Sequence, residues 1–407
     1  MKRFSSSIML ACAAFALFAG QSWASPTELG VRQVEQYNFS IHIMAMLLVG
    51  FGFLMVFVKK YGYSATTGTY LVVGTGIPLY LALRSWGGIS AEPVAADSVK
   101  SLLLAEFACA SALIAMGAVL GRLRVYQYAL LAMILVPAYT LNEWLVLDGG
   151  LGATKGFIDG AGSIIIHAFG AYFGLGLAIA LTSRAHRRKT IESDETSDRF
   201  SMLGSMVLWL FWPSFCSAVV PAADTARTVI NTVLALCGST LSTYAVSSLL
   251  RKGRPSFADM ANAALAGGVA IGATCNLLGP GRAFSVGLLA GAICVVGYVL
   301  IQPRLDRTLK VVDSCGVHNL HGMPGLLGGL VAAIAVPGIA SAQLIGIVFT
   351  VVLAFASGTV GGYLIRLTGR KVEAYQDGEE FLGGVSESGT ASNPVLDAMG
   401  SGEPESA

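Results

Sequence analysis

Apolar runs of roughly 20 residues, separated by short polar or basic stretches, repeat along most of this 407-residue chain. A run of this length crosses the hydrocarbon core of a bilayer as a tilted helix. The pattern predicts an all-α integral membrane protein with eleven transmembrane helices, near residues 38–58, 65–84, 98–121, 125–146, 160–183, 200–221, 225–250, 257–279, 283–302, 315–337 and 342–366.

The first residues follow a different pattern. Lys2 and Arg3 precede a short apolar stretch at 8–20, and Ser22-Trp-Ala24 offers the small residues of a cleavage site. This order is typical of a secretory signal peptide, and the apolar stretch is short for a membrane span. We therefore expect residues 1–24 to be removed and the mature N-terminus to lie outside the cytoplasm.

Basic residues set the predicted orientation. With the N-terminus outside, eighteen Lys and Arg residues fall on the cytoplasmic side and six on the other, Lys2 and Arg3 aside. This is a strong positive-inside bias. We call the side richer in cations the basic face and the other side the opposite face. Residues 25–370 then form the membrane domain, and residues 371–407, rich in Asp, Glu, Gly and Ser, are predicted to be a flexible acidic cytoplasmic tail.

Composition excludes several classes of protein. Hydrophobic residues make up 54% of the chain and charged residues 12%, whereas a soluble domain carries about 25% charge. A formal net charge of +2 gives no basis for nucleic-acid binding. No paired cysteine spacing indicates a zinc site. We predict no metal, no cofactor and no enzymatic activity.

Two of the predicted spans carry a histidine in a related setting. Asp159 precedes His167 in the fifth span, Asp313 precedes His318 in the tenth, and a glycine follows each histidine by seven residues. This suggests two five-helix halves, which an odd number of spans places in opposite orientations, as an inverted repeat. Entering from opposite faces, His167 and His318 would each reach about 10 Å into the membrane and meet near its centre.

A buried imidazole pair has specific chemistry. Burial disfavours the charged form, so two adjacent imidazoles stay neutral and can still offer a hydrogen bond to a small polar solute. Ionisable residues inside a membrane are functional candidates by default. Asp159 and Asp313 are expected to cap helix N-termini. His321 is a secondary candidate, because His318 and His321 could present two nitrogens to a metal; without an HExxH motif a zinc hydrolase is the weaker alternative.

The two histidine segments resemble a known family. Gly162-Ser-Ile-Ile-Ile-His-Ala-Phe-Gly-Ala-Tyr-Phe-Gly174 and Asp313-Ser-Cys-Gly-Val-His-Asn-Leu-His-Gly-Met-Pro-Gly325 are similar to the ammonium transporter/Rhesus (Amt/Rh) family, nearer to its Rh branch. The resemblance extends over residues 30–370. It implies a bacterial Rh protein of the inner (plasma) membrane, a multi-pass homotrimer with one pore per subunit.

The resemblance also implies roles for single residues. His167 and His318 would be the twin histidines that line the pore, and Asp159 the buried acid that supports the first of them. Phe107 and Phe215 would form the outer phenylalanine gate.

At the outer end of the fourth span, Glu143 resembles the acid that recruits ammonium to the vestibule. Glu106, beside Phe107, has no role that the resemblance supplies.

Ammonium and potassium differ in one chemical respect, because ammonium can lose a proton. A dry pore admits a neutral molecule far more easily than an ion. The sequence therefore predicts an ammonia channel that takes ammonium as its substrate and conducts ammonia down its gradient. The alternatives are an electrogenic Amt-type ammonium transporter, a carbon dioxide channel, a membrane sensor that signals through the tail, and an intramembrane enzyme.

Overall fold

The computed structural model describes residues 31–87, 98–371, 373–378 and 380–381. The predicted signal peptide and residues 382–407 of the predicted tail lie outside this part of the chain. The described residues form helices and turns, with no β-strand among them. The all-α prediction therefore holds for the part of the chain that is described.

Nine helical stretches of the described chain are long and apolar enough to cross a membrane. Several contain a turn of π- or 3₁₀-helix within the α-helix, as α1 does at Met46–Phe51. The nine stretches are α1 (Arg32–Phe57), α2 (Gly62–Trp86), α3 (Val99–Ala118), α4 (Val125–Val146), α5 (Ser163–Leu181), α6 (Glu195–Ser217), α7 (Ala222–Leu250), α9 (Pro280–Leu309) and α11 (Ala340–Leu367).

The other two predicted spans are helical but interrupted. Segment α8 consists of Phe257–Ala263, Ala266–Ile271 and a 3₁₀ turn at Gly272–Thr274. Segment α10 begins with a π-helical turn, His318–Gly322, and continues as Met323–Ala335. The prediction of eleven continuous helices is thus supported for nine.

The connections between helices cluster at two ends of the bundle. At one end the α1–α2 and α5–α6 connections meet, where the backbone N–H of Lys59 donates to the carbonyl of Glu192 over 2.9 Å. The α3–α4 and α9–α10 connections meet at the same end, since Arg122 donates to the carbonyl of Val312 over 2.6 Å. These connections lie at the basic face.

Contacts at the other end of the bundle belong to the opposite face. The guanidinium of Arg84, at the end of α2, lies 3.4 Å from the carboxylate of Asp148, which follows α4. The backbone N–H of Ile158, before α5, donates over 2.9 Å to the side chain of Gln343 at the start of α11. The α3–α4, α4–α5 and α5–α6 connections therefore alternate between the two ends, as helices crossing one layer require.

The start of the predicted flexible tail is packed on the basic face. The carboxylate of Asp377 accepts hydrogen bonds from the backbone N–H groups of Tyr63 (2.9 Å) and Ser64 (2.8 Å), in the first turn of α2. Tyr375 is only 4% exposed, and its N–H donates to the carbonyl of Gly121. The prediction of flexibility is wrong for these residues, because an acid here satisfies N–H groups that have no partner within the helix.

Corresponding helices of the two predicted halves make corresponding contacts. In the first half α2 packs on α4 and α3 on α5; in the second half α7 packs on α9 and α8 on α10. Helix α11 packs on α5, where a Cβ added to Gly358 would lie 2.1 Å from the carbonyl oxygen of Phe173. Small residues thus allow the close backbone approach that helix association in lipid favours.

Candidate functional site

Two buried acids hold the starts of α5 and α10 in the same way. One carboxylate oxygen of Asp159 accepts hydrogen bonds from the N–H groups of Ile164 (2.9 Å) and Ile165 (2.8 Å). The equivalent oxygen of Asp313 accepts one from the N–H of His318 (3.1 Å). Each acid satisfies N–H groups that a helix start leaves unpaired, so each fixes the register of the residues that follow.

The loops that carry these acids also have matching backbone partners. The N–H of Ala161, before α5, donates to the carbonyl of Gly272 at the end of α8 over 2.8 Å. The N–H of Cys315, before α10, donates to the carbonyl of Gly117 at the end of α3 over 3.2 Å. The loop before α5 is therefore hydrogen-bonded to the second half of the bundle, and the loop before α10 to the first half.

His167 and His321 form a buried pair. Their Nδ1 atoms are 3.2 Å apart, their ring centroids 5.3 Å, and their ring planes differ by 3°. The exposed fractions are 3% for His167 and 5% for His321. A hydrogen bond between two Nδ1 atoms requires one ring to donate and the other to accept, so one Nε2 of the neutral pair is an acceptor and the other a donor.

The predicted pairing of His167 with His318 is wrong. His318 lies one turn closer to the start of α10, where Asp313 holds its backbone N–H. Its ring lies edge-on to Tyr172, with centroids 5.8 Å apart and planes at 65°. Because residues three apart in a helix start differ in depth by a turn, only His321 reaches His167.

Three aromatic rings, those of Phe107, Phe215 and Trp212, lie on the His167 side of the pair. Phe107 and Phe215, both buried, lie 4.6 Å apart at 58°. Phe215 lies 5.9 Å from His167, and Trp212 stacks on His167 at 5.6 Å and 18°. The structure therefore brings the two predicted gate residues together next to His167. Trp212 was not predicted, although it lies one helical turn before Phe215 on α6.

On the other side of the pair, His321 borders a cavity of about 220 Å³. His321 and Phe51 line its deep end, and Asp198 and Gln302 line the part that lies near the connections of the basic face. A series of neighbouring groups thus runs from the phenylalanine pair, through the two imidazoles, to a mostly apolar cavity that extends to polar residues near the basic face.

Glu143, the predicted vestibule acid, lies in a buried cluster of polar side chains. It is 5% exposed, accepts a hydrogen bond from the hydroxyl of Tyr80 over 2.7 Å and lies 3.6 Å from the guanidinium of Arg84. Arg84 also pairs with Asp148 at 3.4 Å. When all three groups are ionised, the cluster of two carboxylates and one guanidinium carries a net charge of −1.

Glu106, whose role the sequence does not indicate, is fully buried beside Phe107. One of its carboxyl oxygens accepts from the hydroxyl of Ser40 over 2.6 Å. Within the described residues the second oxygen has no hydrogen-bond partner and no cation pairs with the group. Nor do those residues contain a group of three or more His, Cys, Asp or Glu side chains placed to hold a metal ion.

Known proteins match both the sequence and the fold. Residues 2–381 match the Ammonium Transporter Family. The chain is 39% identical to "Ammonium transporter Rh type B" of Oryctolagus cuniculus, over 80% of this chain and 77% of that protein. It is 35% identical to "Ammonium transporter Rh type C" of Rattus norvegicus, over 80% and 71% of the two chains.

Among solved structures, the chain is similar to Rh50 of Nitrosomonas europaea, a structure reported together with a mechanism of conduction by the Rhesus protein family of channels. It superposes with a TM-score of 0.87 at 62% identity, over 90% of this chain and 97% of that chain. Sequence and fold agree over most of the length of each protein. The chain therefore belongs to the ammonium transporter family, on the side of its Rh members.

Proposed function

We propose that the protein is an Rh-type channel that binds ammonium at the opposite face and conducts ammonia through the pore of His167 and His321. The observation that carries the proposal is the buried imidazole pair between a phenylalanine pair and a cavity that extends towards the basic face. Burial keeps such a pair neutral. The Rh relatives are described as ammonium transporters, and the Nitrosomonas protein as a member of a family of channels.

Selectivity follows from the cost of burying charge. Transfer of an isolated ion into a medium of low dielectric constant costs on the order of tens of kcal/mol, whereas transfer of a neutral polar molecule costs roughly a few kcal/mol. Ammonium can avoid the larger cost by leaving its proton behind, and potassium cannot. The pair then offers ammonia one acceptor and one donor at its two Nε2 atoms, which lowers the remaining cost.

The cluster around Glu143 supports recruitment through its field. With all three groups ionised, its net charge of −1 attracts cations to the opposite face, although Glu143 itself is nearly inaccessible. We assign Asp159 to the positioning of α5, since its carboxylate holds the turn that leads to His167. Asp313 has the same task for His321.

The same proposal includes the membrane topology. We place the basic face in the cytoplasm of a bacterium, across the inner membrane, with α8 and α10 completing eleven spans in two inverted halves. A cleaved signal peptide at residues 1–24 and a homotrimer with one pore per subunit belong to it, by analogy with the family. Carbon dioxide, also small and neutral, is a second candidate substrate of the same pore.

Flux into proteoliposomes tests the proposal. An inward ammonium gradient should alkalinise the lumen faster than in protein-free vesicles, because ammonia that enters takes up a proton. No steady inward current should accompany it. A sustained ammonium current would instead indicate Amt-type transport, and potassium flux at a comparable rate would remove the selectivity argument.

The phenylalanine pair gives a separate prediction. The variant Phe107→Ala/Phe215→Ala removes the rings that cover His167, so ammonia flux should rise by about threefold, a barrier lower by about 0.7 kcal/mol. Stopped-flow measurement of lumenal pH checks this. The matched control is Phe53→Ala/Phe200→Ala, another contacting ring pair (5.6 Å) remote from the histidines. Unchanged flux in a correctly assembled Phe107/Phe215 variant would reject the gate.

A further inference from the structure

A second cavity on the basic face, of about 630 Å³, is lined by polar, apolar and charged side chains, and the charged ones are nearly all cationic. It lies between the α3–α4 turn, the loop at 182–189, the end of α11 and residues 373–376. We call it the basic pocket. Among the described residues that line it there is one carboxylate, Glu373, against five cations, Arg122, Lys189, Arg366, Arg370 and Lys371. Lys371 is paired with Glu380 at 3.7 Å, which leaves four cations for a ligand.

Arg122 contributes a buried donor that has no acceptor. The side chain is 3% exposed, and its two terminal nitrogens donate to Thr182 (2.5 Å) and to the carbonyl of Val312 (2.6 Å). Its Nε is buried and has no hydrogen-bond partner within the described residues. A buried N–H without an acceptor is costly, which favours a ligand that supplies one.

His186 shows the sign of the electrostatic field in the pocket. Burial, followed by the positive charges of Arg122, Arg370 and Lys189, lowers the pKa of His186 to about 4. The imidazole is therefore neutral at physiological pH. Its Nδ1 accepts from the backbone N–H of Ser183 over 3.2 Å, so its proton lies on Nε2 and this nitrogen is a donor.

We propose that the basic pocket binds a phosphate group, of inorganic phosphate, a soluble phosphate ester or a phospholipid headgroup. The donors come from three separate elements, which lets them surround a tetrahedral anion rather than pair with one oxygen. Guanidinium groups suit phosphate oxygens by geometry as well as by charge. The volume leaves room for a substituent on the phosphate, and basic pockets of this kind on the cytoplasmic side of membrane proteins bind anionic lipid headgroups.

Binding of inorganic phosphate to the full-length protein in neutral detergent, measured by calorimetry, tests the shared chemistry. The pocket variant is Arg366→Gln/Arg370→Gln, since both side chains are exposed and their loss leaves the buried contacts of Arg122 intact. The control is Arg187→Gln/Arg188→Gln, which removes the same charge from the loop at 182–189, at two exposed side chains that do not line the pocket. We expect binding about tenfold weaker in the pocket variant and unchanged in the control.

Nanodiscs distinguish the source of the phosphate. If a lipid headgroup is the ligand, phosphatidic acid should raise the melting temperature of the wild type above its value in phosphatidylcholine, and the pocket variant should lose that increase. A soluble ligand predicts binding of inorganic phosphate with no lipid dependence. The proposal is overturned if neither phosphate nor phosphatidic acid acts on the wild type, or if the control variant loses as much as the pocket variant.

Discussion

Replacing His321 with leucine should reduce ammonia conduction by at least about tenfold, whereas the same change at His318 should leave it within about twofold. Leucine keeps the apolar volume and removes both nitrogens, so ammonia would cross the centre of the pore without a hydrogen bond. Such a loss costs about 1–3 kcal/mol, and 1.4 kcal/mol corresponds to a factor of ten in rate. His167 would also lose the Nδ1 partner that lies 3.2 Å away.

Stopped-flow proteoliposome assays at equal protein density measure this difference. His318→Leu is the matched control, because it removes the same side chain one turn away on the same helix, where the ring contacts Tyr172 rather than His167. Size-exclusion profiles of both variants should match the wild type. If His318→Leu lost conduction as completely as His321→Leu, the pore would not be defined by the His167–His321 pair.

The sequence was sufficient to locate the pore helices but not to choose between two histidines three residues apart. Both lie in the same predominantly apolar segment. The segments Asp159–His167 and Asp313–His321 share the pattern Asp-x-x-Gly-x-x-x-x-His. The glycines adopt φ of 78° and 66°, a left-handed conformation that suits glycine. The eight-residue distance from the capping acid to the histidine selects His321. The seven-residue distance from the histidine to the following glycine, on which the prediction was based, selects His318.

Other differences between prediction and structure also have local causes. Hydropathy predicted a continuous eighth span, whereas the helix is interrupted at Ala264 and Leu265. Both residues are apolar, so the interruption does not change the hydropathy of the segment. Composition predicted a free tail from residue 371, because an acid that caps a helix is the same residue type as a solvated one. The capping contact of Asp377 depends on tertiary position, which composition does not record.

The position of the pore also depends on how closely the helices of the second half approach one another. A Cβ added to Gly267 on α8 or to Gly287 on α9 would lie 2.0 Å from the same atom, the carbonyl oxygen of Ala235 on α7. The end of α8 in turn accepts the hydrogen bond of Ala161, in the loop that leads to His167. A change in this packing therefore displaces one of the two imidazoles.

Gly287→Ala should destabilise the protein by about 3 kcal/mol and lower its melting temperature by about 5 °C or more, because a backbone carbonyl cannot move aside as a side chain does. Thermal unfolding in detergent, followed by fluorescence or size exclusion, measures the shift. The matched control is Gly74→Ala within α2, where an added Cβ meets nothing within 4 Å and alanine favours the helix. Equal melting of the two variants would show that α7 and α9 separate easily. The approach of these helices would then not set the distance between His167 and His321.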